Sequence, residues 1–282
     1  MLENKMQKVR LVKSNNHGQR EMTVTDFKIL TTSKPEKKLT VKNHRSQGRD
    51  SSGQISVRHK GAGAKRKYRV ISSLDNFANQ TAKVEQIEYD PNRSSFIVLV
   101  KLSGGNKAYL LAWDGVRQGD IAEAKDKTEI KPGNRMRLTN IPNGIAIYDV
   151  EMQPGQGGKL VKSAGSQAMI TAKEGNWVHL KMPSDEVRRI NQNCFATIGQ
   201  VSNVAHFLVR IGKAGRKRHM GVRPSVRGKA MHPDAHPHGG GEGVNPIGLK
   251  YPKTPWGKHA LGVRTRKRNK YSAKMIIKRR KK

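Results

Sequence analysis

Positive charge is distributed unevenly along this chain, and that unevenness limits what the chain can fold into. Residues 1–82 carry 18 Lys or Arg against 6 Asp or Glu, a net of +12. Residues 83–200 carry 16 against 13, net +3, and residues 201–282 carry 22 against 2, net +20. Self-repulsion within the two flanking segments opposes compaction unless a polyanion neutralises it. A nearly neutral centre can bury a core, whereas blocks of like charge read as interaction arms. A solvated surface explains a few lysines, but not 22 bases against Asp234 and Glu242. Neutralising phosphates with release of counterions is the use that fits this pattern, so the chain reads as a nucleic-acid binder.

Several classes drop out. The longest apolar runs, 96–100 and 108–113, fall well short of the ~20 residues that a membrane span needs. Cys194 is the single cysteine, which removes a disulfide framework. Residues 1–13 hold no apolar core of signal-peptide length, and Glu3, Glu21 and Asp26 argue against an organelle transit peptide, so a cytoplasmic location is expected.

The centre reads as all-β. Apolar runs at 84–89, 96–102 and 108–113 are separated by Asp90-Pro91-Asn92 and Ser103-Gly104-Gly105-Asn106, which are hairpin signals. Further strands are expected at 135–139, 145–152, 168–172, 177–182 and 194–198. Val178, Leu180 and Met182 alternate with Trp177, His179 and Lys181, the period of a strand with one buried face. Turns every 8–12 residues predict two small barrels with a change near 125–132. Helix is expected to be minor, one turn near 202–208.

Three basic segments carry the candidate contacts. In 56–70, SVRHKGAGAKRKYRV, the residues Arg58, His59, Lys60, Lys65, Arg66, Lys67 and Arg69 surround a run of small residues. Glycines let backbone N–H groups approach a phosphate, the bases supply charge, and Tyr68 can stack on a base. The alternative is a glycine turn with incidental surface bases. The run lacks the Gly-x-x-x-x-Gly-Lys-Ser/Thr pattern of a phosphate-binding P-loop. In 211–228, Lys213, Arg216, Lys217, Arg218, His219, Arg223 and Arg227 are punctuated by four glycines and Pro224, against a long amphipathic helix. An irregular segment following a folded RNA backbone suits them better than insertion into a DNA major groove, and a flexible linker is the alternative. In 258–282, Arg264, Arg266, Lys267 and Arg268 alternate with small residues, a brief strand is expected at 275–277, and the rest is expected to order on binding. Trp256 reads as a packing anchor for this tail.

Residues 230–243, AMHPDAHPHGGGEG, invite a metal reading, because His232, His236 and His238 lie near Asp234 and Glu242. They also invite acid–base chemistry at His236. No paired cysteines, orienting partner or substrate pocket accompany them, so no metal, cofactor or catalytic residue is assigned. The favoured reading has Gly239, Gly240 and Gly241 permitting close approach to RNA while His236 and His238 stack or hydrogen-bond.

These segments carry a resemblance. VRH (57–59), EYDPNRS (88–94), IKPGN (130–134), SAG (163–165), GKAGR (212–216), HPHGGGEG (236–243) and TPWG (254–257), with matching pieces in 150–158 and 221–231, resemble the bacterial type of the large-subunit ribosomal protein family numbered two. The resemblance covers residues 25–282. It implies an oligonucleotide-binding-type barrel followed by an SH3-like barrel, with long irregular basic extensions threading large-subunit rRNA. It also implies roles in subunit assembly, subunit association and support of the peptidyl-transferase region, with other ribosomal proteins as partners and the small subunit as a further contact. The family's much-discussed histidine corresponds to His236, near but not performing peptide-bond chemistry. Where the family has Asn-Pro-Val-Asp, this chain has His232-Pro233-Asp234-Ala235, and Ala62 and Ala64 stand where the family has Gly and His. The expected partition is a basic extension at 1–82, the first barrel's core at 83–125, the second barrel at 126–200, and an rRNA-threading extension at 201–282. A non-specific DNA-compacting protein and a His-dependent RNA-processing enzyme are the alternatives.

Overall fold

The computed structural model describes residues 9–77, 80–267 and 269–280. The chain divides into two compact units: residues 1–44, 65–214 and 274–282 form one, and Arg45–Ala64 with Gly215–Ala273 form the other.

The first unit is built from antiparallel strands. Strand β1 (Val9–Leu11) pairs with β2 (Thr23–Thr25), and β3 (Thr40–Lys42) with β4 (Lys67–Arg69). A four-stranded sheet follows from β5 (Thr81–Glu88), β6 (Ile97–Leu102), β7 (Lys107–Leu111) and β8 (Ile121–Glu123), in the order β7-β6-β5-β8. Its inner face buries Val84, Phe96, Val98, Val100, Leu110 and Trp113, apolar residues of those runs that are mostly β-branched or aromatic. On the outer face, Ile97, Leu99 and Tyr109 are covered by Leu39 and Ile71.

The second set of strands is β9 (Arg135–Arg137), β10 (Ala146–Tyr148), β11 (Val150–Glu151), β12 (Gly158–Leu160), β13 (Ala168–Glu174), β14 (Trp177–Lys181), β15 (Val187–Asn191), β16 (Phe195–Ile198) and β17 (Ile276–Lys278). Seven of these form one sheet, ordered β17-β15-β14-β13-β10-β16-β9, while β11 and β12 pair separately. Val178 and Leu180 point into a core shared with Met136, Leu138, Ile147, Ile170 and Ala196. The expected strand at 145–152 is broken in two, because Asp149 takes a left-handed φ of +48°. The expected strand at 135–139 ends at Arg137 and runs on as a 3-10 turn, Leu138–Asn140. Strand β17 returns the end of the chain to β15, matching the short strand expected there.

Two devices hold this unit together. Gly133, at φ +94°, lies flat against the Trp113 ring, so a Cβ there would come within 2.9 Å of the ring. Arg135 is buried completely among carboxylates, with Nη2 3.9 Å from Glu151 Oε1 and without a hydrogen bond of its own. Nε donates to Asp75 Oδ1 at 2.8 Å, and Nη1 donates to the Asp149 carbonyl at 2.6 Å and to Thr197 Oγ1 at 3.2 Å. Burial alone would raise the Asp75 carboxyl, but the Arg135 charge and hydrogen bonds outweigh it and lower its pKa. Glu151, also buried, accepts from the backbone N–H groups of Gly157 and Phe195 at 2.9 Å.

The N-terminal hairpin, where the resemblance is silent, is tied to a distant segment. Thr23 Oγ1 donates to the Leu208 carbonyl at 3.2 Å and accepts from the Arg210 N–H at 2.7 Å. The expected helical turn near 202–208 is a 3-10 turn, Val204–Leu208, entered through Asn203 at φ +62°.

Candidate nucleic-acid interface

In the second unit, two segments distant in sequence are joined by backbone pairing. Gly61 N–H donates to the Gly221 carbonyl at 2.8 Å, Ala64 N–H to the His219 carbonyl at 2.8 Å, and Arg223 N–H to the His59 carbonyl at 3.1 Å. Gly63 sits at φ +63°, and a Cβ there would lie 2.6 Å from the His219 carbonyl oxygen and 2.7 Å from Gly221 N. Only glycine permits that approach. The small-residue run therefore closes against protein backbone, and the N–H groups of Gly61 and Ala64, expected to approach phosphate, are taken by the Gly221 and His219 carbonyls. What the ladder does is array bases around it. Arg58, His59, Lys60, Lys217, Arg218, His219, Arg223 and Arg227 are all exposed, and Arg216 is half-buried. Arg49, Arg58, Lys60 and Arg223 line a cleft of about 250 Å³ with Ile55 and Val57 among its walls. Arg216–His219 lie on a short helix, α1 (Ala214–His219), in place of the irregular segment expected there. Six residues keep it to less than two turns.

The residues of the first unit that adjoin these segments in sequence divide sharply. Lys65, Lys67, Tyr68 and Lys213 are exposed. Arg66 is half-buried and its Nη1 donates to the Pro91 carbonyl at 2.6 Å. Arg69 is turned inward, its guanidinium 3.5 Å from Glu88 Oε2 and 3.6 Å from Asp90 Oδ1. Its side chain is 7% exposed, so it holds the fold and is removed from the candidate RNA contacts. Glu88, in turn, accepts from Tyr109 Oη at 2.8 Å, while burial raises its carboxyl above the ordinary value.

The histidine loop is also a structural knot. His236 is 7% exposed, and Gly228 packs so closely that a Cβ would sit 2.4 Å from its Cε1. Its Nδ1 accepts from the His238 N–H at 3.0 Å, and His238 Nε2 accepts from the Lys253 N–H at 2.8 Å. Burial, then the electrostatic effect of the neighbouring His238 and Arg58, lower the His236 pKa. Base stacking by His236 is thereby corrected: its ring faces are covered by protein. His238 and Gly239 are half-buried, while Gly240 and Gly241 remain exposed. No carboxylate pairs with His236 among the described residues, and no group of three His, Cys, Asp or Glu among them could hold a metal ion.

Trp256 is 73% exposed at the tip of a turn closed by Gly257 N–H to the Thr254 carbonyl, 2.9 Å. That corrects the packing-anchor reading, since the indole is offered to solvent. Arg264, Arg266 and Lys267 are exposed, with Arg266 Nη2 donating to Ser272 Oγ at 2.9 Å. Arg268 lies outside the described residues.

An all-β scaffold whose loops are pinned by glycine and studded with exposed bases defines a structural RNA-binding protein. Residues 36–124 match the family described as Ribosomal Proteins L2, RNA binding N-terminal domain, and residues 131–257 match the Ribosomal Proteins L2, C-terminal domain. The chain belongs to the ribosomal protein L2 family, a structural constituent of the large ribosomal subunit that binds rRNA alongside other ribosomal proteins. The nearly all-β, antiparallel architecture agrees with the family's oligonucleotide-binding-type and SH3-like folds.

Proposed function

We propose that this chain holds large-subunit rRNA by two cooperating means, barrels that set position and basic segments that follow the phosphate backbone. The ladder joining 59–64 to 219–223 carries the reading, because it brings two basic segments, about 160 residues apart in sequence, onto one small frame. The contacts fall to Arg58, His59, Lys60, Lys65, Lys67, Tyr68, Lys213, Lys217, Arg218, Arg223 and Arg227, with Arg264, Arg266 and Lys267 from the tail. Gly240 and Gly241 leave room for RNA to approach closely. The role is non-catalytic: His236 is occupied in holding its own loop and lacks a carboxylate to orient it as a base. In this reading the chain works in the cytoplasm, supports subunit assembly and the surroundings of the peptidyl-transferase centre, and reaches the small subunit. The basic extensions cover 1–82 and 201–282, and the barrels 83–125 and 126–200.

Binding of the full chain to large-subunit rRNA fragments across a salt series tests this. With about six to ten phosphate contacts, affinity falls ~10³–10⁵-fold between 50 and 200 mM salt. A flat salt response, or equal affinity for random duplex DNA, overturns the reading and favours non-specific compaction.

A further inference from the structure

The turn that carries Trp256 is fastened to the histidine loop through imidazole rings. Residues 252–260 form a hairpin of their own, closed by Lys253 pairing with His259 and by Ala260 N–H donating to the Pro252 carbonyl at 2.8 Å. Tyr251 packs on His259 with ring centroids 4.5 Å apart. Among the described residues, one hydrogen bond ties this hairpin to the loop of 228–241, from Lys253 N–H to His238 Nε2 at 2.8 Å. His238 is held in turn: its own N–H donates to His236 Nδ1 at 3.0 Å, and the two ring centroids are 4.7 Å apart. His236 is buried against Gly228. The result is a relay from Lys253 through His238 to His236, running from an exposed turn to a buried ring.

A backbone N–H can only donate, so the two accepting ring nitrogens carry no hydrogen. A proton added to either sets donor against donor. We propose that His238 is a positioning residue, which docks the Trp256 hairpin on the histidine loop while its Nε2 is bare and releases it on acidification. The surroundings supply nothing to hold an imidazolium. Arg58 acts on the His236 ring from the 45–64 segment, Lys229 stands beside Gly228, and Lys253 is the docked residue itself, so each neighbour is a base. The loop's carboxylates, Asp234 and Glu242, are exposed, and Asp234 lies 3.1 Å from His232 Nδ1. Among the described residues neither carboxylate pairs with His236 or His238. A proton therefore costs the docked state more than the open one, and the lowered pKa of His236 has the same sign. Histidine ordinarily titrates near about 6.5, so docking is complete above that pH and weakens as pH falls below it. Trp256, 73% exposed, is thus presented at a fixed place at neutral pH and swings free in acid. The device needs no bound RNA and stands apart from the rRNA-binding reading.

Hydrogen exchange of the free full chain between about pH 8 and pH 5 tests this, read as protection factors so that the pH dependence of exchange itself cancels. Protection at the Lys253 amide falls by up to about tenfold for each pH unit below about 6.5, the limit set by one proton. The Gly61 and Ala64 amides, in the same unit, keep theirs. His238→Gln retains an acceptor that does not titrate, so Lys253 stays protected across the range. His238→Ala loses that protection at both ends. Where His238→Gln fails to fold or to dock, the ring nitrogen resonance of wild-type His238 decides, since its midpoint must coincide with that of Lys253 protection. Protection of Lys253 that ignores pH in the wild type overturns the proposal. So does an unchanged acid response in His238→Gln, a parallel loss at Gly61 and Ala64, or a His238 midpoint apart from that of Lys253.

Discussion

At the scale of single residues, the buried charges decide more than the exposed ones. Arg135 has no route to water, and three carboxylates depend on it, Asp75, Asp149 and Glu151. Removing Arg135 takes from Asp75 its charged partner and leaves Asp149 with Lys162 and Glu151 with two backbone N–H groups as their remaining compensation, so Arg135→Met is expected to cost about 3 kcal/mol in urea unfolding. The pH dependence has a definite sign. The folded-state pKa of Asp75 is lowered from its ordinary 3.8, so its contribution is complete above about pH 4 and is lost as pH falls through the lowered value. The difference between wild type and Arg135→Met therefore narrows on acidification below about pH 4. None of this is legible in local sequence, since the arginine and Asp75 lie 60 positions apart. The same holds for Arg69, which sits in a basic run and looks like a phosphate ligand until Glu88 and Asp90 arrive from β5 and its turn.

At the scale of elements, alternation tells strand from loop wherever one face is apolar. The strands β5, β6, β7, β13, β14 and β16 lie close to where patterning puts them, because Val, Ile, Leu and Phe mark their buried faces. Strand β15 escapes that pattern, since VRRIN offers two adjacent arginines in place of a clean alternation. Arg188 instead pairs with Glu186, and Arg189 lies 5.2 Å from the Trp177 ring, so packing supplies what the pattern hides. The interface follows the same logic. Glycine and basic content locate both segments, but the ladder between them depends on pairing across most of the chain. It depends also on Gly63, and Gly63→Ala tests that. A methyl group 2.6 Å from one backbone atom and 2.7 Å from another must push the two segments apart. The expected outcomes are faster hydrogen exchange at Gly61 and Ala64 and weaker rRNA affinity. The barrels keep their own exchange rates, because those amides lie in a separate unit.

At the scale of the whole molecule, a net charge of +35 makes stability a property of the solution as well as of the fold. Any polyanion that binds the folded chain preferentially stabilises it by mass action. Inorganic polyphosphate is expected to raise the melting temperature at low salt, with the gain shrinking as salt shortens the reach of exposed charges to about 10 Å at 0.1 M. A melting temperature indifferent to polyphosphate would mean that the bases are already matched within the protein. Whole-chain charge is the clearest message in the sequence, yet the route of the chain end is hidden from it. Residues 215–273 leave the barrel unit, and β17 brings the chain back to β15. Strand β17 also covers β15, which would otherwise be the bare rim of the seven-stranded sheet, so the returning segment guards that rim against pairing with a strand of another chain.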